Sequence, residues 1–224
     1  MDWVTFDCYG TLIDWERGIT DALLPLLRGT TKDRRGLSLR RDLMRRYIAI
    51  EADVEAEAYR RYGDVLDLAG RRLLDELGSP LSSGGPSPLP ISLPSWPPFD
   101  EVPSALAELR RRGRKIAILS NVDRDLLGAS IARLGIEPDL AITAEDCGSY
   151  KPAPGHWRMF ATRTGAGPAT TIHVGASQYH DMRPAAALGY RTVFIDRHDE
   201  RLETAPTRVL RDLSRLPETV DALE

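Results

Sequence analysis

The sequence predicts an α/β fold built on a parallel sheet that helices cover on both faces. Three observations carry this. After Pro103, short and nearly continuous apolar runs alternate with helical patterns, as strands buried on both faces do. Before that, residues 15–77 show only helical spacing. Between the two lies a Pro/Ser/Gly tract, 79–103, holding eight of the sixteen prolines. With few backbone donors and little to bury, it reads as a linker or surface loop, although Trp96 and Phe99 suggest that its second half packs onto something.

The elements follow in order. Val4-Thr5-Phe6 is a β-prone run ending at Asp7, and Tyr9-Gly10-Thr11 gives a turn. Ile19, Ala22, Leu23, Leu26 and Leu27 recur at helical spacing, as do Leu43, Tyr47, Ile50 and Val54, and then Tyr62, Leu66, Ala69 and Leu73. A polar, basic break at 29–36 separates the first two sets. Beyond the tract, helix 105–111 leads to strand 115–119, which ends at Ser120-Asn121. Helix 125–134 leads to strand 140–143, which ends at Ala144-Glu145-Asp146. Helix 154–164 leads to strand 171–174, which ends at Gly175. Helix 182–188 leads to strand 191–195, and a last short strand covers 208–210.

Composition excludes several classes. The 224 residues carry 30 Lys+Arg against 33 Asp+Glu, a net charge of −3, and 42% are hydrophobic. That balance argues against wholesale disorder and against an electrostatic nucleic-acid binder. No apolar run approaches a membrane span, and Met1-Asp2-Trp3-Val4 enters a strand without a targeting pattern, so the expected location is cytoplasmic. Cys8 and Cys147 are too few for a disulfide framework or a cysteine metal site. Only three of the 30 basic residues are lysines, Lys32, Lys115 and Lys151, so a retained lysine marks a candidate for a place that needs a compact ammonium.

In a parallel sheet ligands sit beyond the carboxyl ends of the strands. Those ends carry Asp7, then Ser120 and Asn121, then Tyr150 and Lys151, then Ser177 and Asp181. Singly, each has a plainer reading as a turn residue, helix cap or solvated charge. Together they place two carboxylates, hydroxyls and an ammonium on one crevice.

Phe6-Asp7-Cys8-Tyr9-Gly10-Thr11-Leu12, Leu119-Ser120-Asn121, Tyr150-Lys151-Pro152 and Gly175–Asp181 resemble the four motifs of the haloacid dehalogenase superfamily. The segments 95–99, 120–123 and 177–181 are similar to its type II 2-haloacid dehalogenase-like branch. The resemblance spans essentially the whole chain. It implies a doubly wound parallel core, residues 1–14 and 100–224, with an inserted helical cap, 15–99, that includes the Pro-rich linker. It also implies that Asp7 is a nucleophile forming a covalent ester. Lys151 would hold and charge-stabilise it, Ser120 would donate a hydrogen bond, and Thr11 would brace the loop. Asp181 would hold Lys151 or activate the water that hydrolyses the ester.

Two positions speak to the reaction. Phosphatases of the superfamily usually carry an acid two residues after the nucleophile, where this chain has Tyr9. They usually carry another directly after the glycine of the fourth motif, where it has Ala176. Halide leaves as a stable anion and needs no general acid. The expectation is therefore a cofactor- and metal-independent hydrolase displacing halide from a short 2-haloacid. The alternatives are a Mg²⁺-dependent phosphatase acting on a small phosphate ester, or a non-catalytic protein on the same scaffold. The expected partner is a small-molecule substrate, with no nucleic acid and no membrane; the resemblance allows a homodimer.

Tyr9, Asn121 and Ser177 are substrate-binding candidates. For a substrate carboxylate the cap offers Arg45, with Arg46, Arg60 and Arg61 as equivalents. For an apolar wall it offers Tyr47, with Trp15 and Tyr59. A solvated helix face and cap core are the plainer readings of these two sets. His173 and His180 do not form a metal pair, and His173 reads as a sheet residue. Cys8, turned from Asp7 by strand alternation, reads as buried and inert.

Overall fold

In a computed structural model of the chain, residues 2–27, 36–81 and 85–223 are described. The chain divides into two compact units, Met1–Asp14 with Pro97–Glu224, and Trp15–Trp96.

The first unit is a doubly wound α/β domain. Its strands are β1 (Trp3–Phe6), β2 (Lys115–Ser120), β3 (Leu140–Thr143), β4 (Thr171–Gly175), β5 (Arg191–Ile195) and β6 (Arg208–Leu210). They form one parallel sheet in the order β3-β2-β1-β4-β5-β6. All four residues of β1 are buried, as expected for a central strand covered on both faces. The strand order reverses at β1, whose neighbours are β2 and β4, so the crevice of the switch point opens at the carboxyl ends of β1 and β4. Trp3, Ala117, Leu119, Ile142, Trp157 and Phe160 share one core cluster, with the Trp3 and Phe160 rings edge to face at 5.3 Å.

The second unit is helical: α1 (Trp15–Leu23), α2 (Gly36–Glu57), α3 (Tyr62–Glu76) and α4 (Leu89–Ser92). Val65, Leu66, Ala69, Leu73 and Leu74 form the buried stripe of α3 at helical spacing. The polar break expected at 29–36 lies outside the described residues, apart from Gly36.

The Pro-rich tract is not a free linker. Its second half forms α4 and a 3₁₀ turn, Leu93–Ser95, burying Leu89, Leu93 and Trp96. These three stand at i, i+4 and i+7, a helical stripe that the prolines masked; proline is tolerated in a first turn. The Trp96 indole lies so close to α1 that a Cβ on Gly18 would stand 2.3 Å from it. The unit boundary falls between Trp96 and Pro97, three residues before the sequence-based limit at 99. The reason is pairing: Asp14 N donates to Pro97 O at 2.9 Å and Phe99 N to Leu12 O at 3.1 Å.

The remaining helices belong to the first unit: α5 (Val102–Arg111), α6 (Arg124–Ile131), α7 (Ala144–Cys147), α8 (Gly155–Thr164), α9 (Arg183–Ala187) and α10 (Leu216–Asp221). The turn α7 stands where the sequence suggested only a strand end. Thr143 and Asp146 form a reciprocal capping box that starts it. Among the described residues, no helix is long and apolar enough to cross a membrane.

Candidate active site

Three segments bring their polar residues to the switch point. Asp7 leaves β1 with its N–H tied to Val174 O at 2.9 Å. Lys151 is delivered by the loop between α7 and α8. Its main chain is clamped by the Asn121 amide, which donates from Nδ2 to Lys151 O at 3.0 Å and accepts from Lys151 N at 2.6 Å. Asp181 lies on a single π-helical turn, Gln178–Met182, after β4, a distortion that often marks functional sites. That turn packs so tightly on β4 that a Cβ at Gly175 would stand 2.6 Å from the Asp181 side chain. Glycine is required there by close approach.

The side chains converge. Lys151 Nζ donates to Asp7 Oδ1 at 2.8 Å and to Asp181 Oδ1 at 2.7 Å. Thr11 Oγ1 donates to Asp7 Oδ2 at 2.8 Å and accepts from Ala176 N at 3.0 Å. One ammonium thus serves two carboxylates in the interior, Lys151 being 1% exposed. Burying each ion costs several kcal/mol in order of magnitude, so the cluster is a poor device for stability alone. Burial pushes the Lys151 ammonium down, but the Asp181 and Asp7 carboxylates outweigh it and raise it above its ordinary range. Burial likewise pushes Asp181 up, and the Lys151 charge with the His173 hydrogen bond reverses this, so Asp181 stays ionised. Asp7 is raised, by burial first and by the Asp181 charge, against the lowering effect of Lys151. Of two carboxylates sharing one cation, Asp181 is held the more firmly anionic.

Among the described residues Ser120 Oγ is buried without a hydrogen-bond partner, so the bond expected from it is not made to any of them. Asp181 Oδ2 is in the same condition. Orphaned buried polar atoms call for an explanation, and here two occur among the residues that the strand ends carry. The Ser120 carbonyl accepts from His156 Nε2 at 3.1 Å; burial holds that imidazole down to about 4, so it is neutral.

The substrate-binding candidates fare differently. Tyr9 Oη pairs with Ser130 Oγ at 2.9 Å, so its hydroxyl is engaged within the protein. The Asn121 side chain is spent on the Lys151 main chain rather than turned to a halide or carboxylate. Ser177 is a cap: its Oγ accepts from His180 N at 3.0 Å, because the first N–H groups of the turn lack other partners. Arg45 and Tyr47 belong to the helical unit. Arg45 is exposed and pairs with Asp42 at 2.7 Å. Tyr47 is fully buried, donating to Glu51 Oε1 at 3.1 Å, which is the cap-core reading. Cys8 is buried, and burial pushes its thiol up.

Two contacts escaped the sequence reading. His173 is a sheet residue as expected, but its Nε2 lies 3.4 Å from Asp181 Oδ1. Arg197, just past β5, donates to Thr11 O at 3.0 Å and Glu101 Oε1 at 2.8 Å, with its guanidinium 3.5 Å over the Phe99 ring. It pins the loop that carries Thr11. Nothing local in the sequence announced either contact.

A Mg²⁺ ion takes oxygen ligands, carboxylates among them. Both Asp7 oxygens are engaged by Lys151 and Thr11, Ala176 has no side-chain oxygen, and among the described residues no three of His, Cys, Asp and Glu converge on a metal position. The residues present do not fit that ion.

A family model described as haloacid dehalogenase-like hydrolase matches residues 1–189. The chain is 28% identical to the (S)-2-haloacid dehalogenase of Pseudomonas sp. (strain YL) over 206 residues, 87% of this chain and 82% of that protein. It is 32% identical to the phosphoserine phosphatase of Thermus thermophilus over 122 residues, 53% of this chain and 49% of that protein. The matched region spans about half the length of several such curated relatives. The structure of L-2-haloacid dehalogenase from Xanthobacter autotrophicus with chloropropionic acid covalently bound has the same fold, with a TM-score of 0.85 at 21% identity over 100% of both chains. With the motif residues gathered at the switch point and the family model covering most of its length, the chain belongs to the haloacid dehalogenase-like hydrolases.

Proposed function

We propose that this hydrolase displaces halide from a short 2-haloacid through an ester on Asp7. The observation that carries the reading is the Asp7–Lys151–Asp181 cluster in a setting without a general acid. Asp7 Oδ attacks the carbon bearing the halogen; the new C–O bond forms as the carbon–halogen bond breaks, and halide leaves with the electron pair. The attacking oxygen needs no separate base, because the Lys151 ammonium and the Thr11 hydroxyl favour the ionised form of Asp7 against the burial that raises its carboxyl. Lys151 and Thr11 hold the carboxylate, and the Ser120 hydroxyl is the unpaired group assigned to the substrate. Asp181 then takes a proton from water as the water oxygen attacks the Asp7 carbonyl carbon. The tetrahedral adduct collapses as the C–O bond to the substrate breaks; Asp181 returns its proton to the departing alkoxide oxygen, giving the 2-hydroxy acid, and the proton left on the new Asp7 carboxyl passes to solvent, which restores both carboxylates. Asp181 Oδ2, buried and without a protein partner, is the acceptor assigned to that water.

The likeness to the Pseudomonas enzyme supports this reading, and the likeness to the Thermus phosphatase keeps a second one in view. Tyr9 weighs against phosphoryl transfer: its hydroxyl is engaged with Ser130, and burial pushes its ionisation well up, so it is a weak replacement for a carboxylic acid. The test is halide release from a panel of 2-haloacids beside phosphate release from small esters, each with and without EDTA. Halide release that EDTA leaves unchanged is the expected result; phosphate release abolished by EDTA would replace the reading with the second.

A further inference from the structure

We infer that His173 is a positioning residue that fixes the Asp181 carboxylate for hydrolysis of the Asp7 ester, through an imidazole tautomer set by Thr5. The role rests on the proposed ester; the tautomer does not.

His173 and Thr5 are register partners on β4 and β1, and both are fully buried. Thr5 Oγ1 lies 2.9 Å from His173 Nδ1 and 3.3 Å from Ile172 O. Its single proton serves one of them. If it went to Ile172 O, Nδ1 would carry the imidazole proton, and the bare Nε2 lone pair would face the ionised Asp181 at 3.4 Å. If it goes to Nδ1, the nearer acceptor, Nε2 carries the proton and points it at Asp181 Oδ1. In an interior of low dielectric an attractive contact is strongly favoured over a repulsive one. The Trp157 ring, edge to face at 5.2 Å, holds the imidazole plane.

The consequence falls on Asp181. Its Oδ1 receives Lys151 Nζ at 2.7 Å and His173 Nε2, while the bare Cα of Gly175 makes room for the group. Two donors on one oxygen hinder the carboxylate from turning, and among the described residues Oδ2 is the oxygen left unpaired. Lys151 alone would permit rotation about its one short bond. Formation of the ester uses Asp7 and Lys151, neither of which touches His173 through a hydrogen bond, so only the second half-reaction should respond.

The experiment uses the full-length chain labelled with ¹⁵N-histidine, beside His173→Leu, His173→Gln and Thr5→Val. In the unliganded protein the His173 resonances should show Nε2 protonated and Nδ1 bare, and Thr5→Val should move them toward the other tautomer. In single turnovers His173→Leu should slow breakdown of the Asp7 ester about ten- to a hundredfold, the scale of lost second-partner orientation, with ester formation unchanged. His173→Gln, which keeps an N–H near the Nε2 position, should recover most of the rate. Equal rates for Leu and Gln in stably folded proteins, or an Nδ1-protonated imidazole in the parent chain, would overturn the inference. The rates are compared on whichever ester, alkyl or phosphoryl, the parent enzyme forms, so failure of halide release alone overturns the functional reading and not this one.

Discussion

Two carboxyl groups in this molecule, Asp181 fully buried and Glu51 half-buried, face opposite fates. Asp181, in the α/β unit, is held below its ordinary range although burial opposes this, because an ammonium and an imidazole face it. Glu51, in the helical unit, accepts from the hydroxyls of Tyr47 at 3.1 Å and Tyr62 at 2.8 Å on one oxygen. There burial wins and its carboxyl is pushed up from 4.5 to about 7. Neutral donors at similar distances do not replace a countercharge. The comparison teaches that Lys151 is what keeps Asp181 ionised against burial, and that removing this one residue should make Asp181 behave like Glu51 and push Asp7, already raised, further up.

Lys151→Met gives the largest expected effect. It leaves two carboxylates buried without a cation, a change that typically costs about 3–5 kcal/mol, and turnover should be lost. The sign of the Asp181 contribution to the pH response should also reverse, while that of Asp7, already raised in the parent, keeps its sign and grows. In the parent chain the lowered Asp181 contributes stability that is present above its unfolded value and lost as pH falls. In the variant the raised carboxyls contribute stability present in acid and lost as pH climbs above about 4. Denaturant melts from pH 3 to 8 read this directly, and a parallel shift with no change of slope would contradict it.

Gly175→Ala tests geometry with the charges intact. The new Cβ would collide with the Asp181 side chain at 2.6 Å, so the π turn must move. A cost of about 1–3 kcal/mol is expected from the overpacking, with turnover lowered about a hundredfold by misplacement. Thermal melts together with steady-state rates check it, and wild-type turnover would show that the close approach is unimportant.

Glu51→Gln should have the smallest effect and touches the other half of the comparison. With its folded value raised, Glu51 adds stability fully present below its ordinary 4.5 and lost as pH rises through about 7. The glutamine variant should therefore flatten the stability profile between those two values, as followed by urea melts. An unchanged slope would mean that the two tyrosines already satisfy the anion.

The same contrast explains what the sequence could reveal. The four inner strands were legible because central parallel strands are apolar on both faces, as in Ile116–Leu119 and Val193–Ile195, whereas the edge strands β3 and β6 showed only as short β-prone runs. Asp7, Lys151 and Asp181 were legible because strand ends and motif spacing concentrate chemistry at one edge. The contacts of His173 were not, because they exist only once β1 pairs with β4 and Thr5 comes alongside it. The same holds for Asn121, whose partner is a main chain thirty residues away, and for Ser177, where capping and ligand binding look alike in one dimension. The helical stripe of Leu89, Leu93 and Trp96 was present but outweighed by its prolines. On α2, exposed Arg45 and buried Tyr47 lie two residues apart, and the choice between a solvated face, a core and a substrate wall depends on neighbours that helical periodicity does not name.

The most direct test of the account is whether Asp7 becomes covalently modified. Asp181→Asn removes the proposed acceptor for water while leaving Asp7 and Lys151 in place, so the ester should accumulate and the peptide carrying Asp7 should gain the mass of the substrate less hydrogen halide. In single turnovers of the parent enzyme in ¹⁸O-water, the label should enter Asp7 first and reach the product only in later cycles. Label in the product of the first turnover, with none in Asp7 and no mass gain in the variant, would contradict the covalent mechanism.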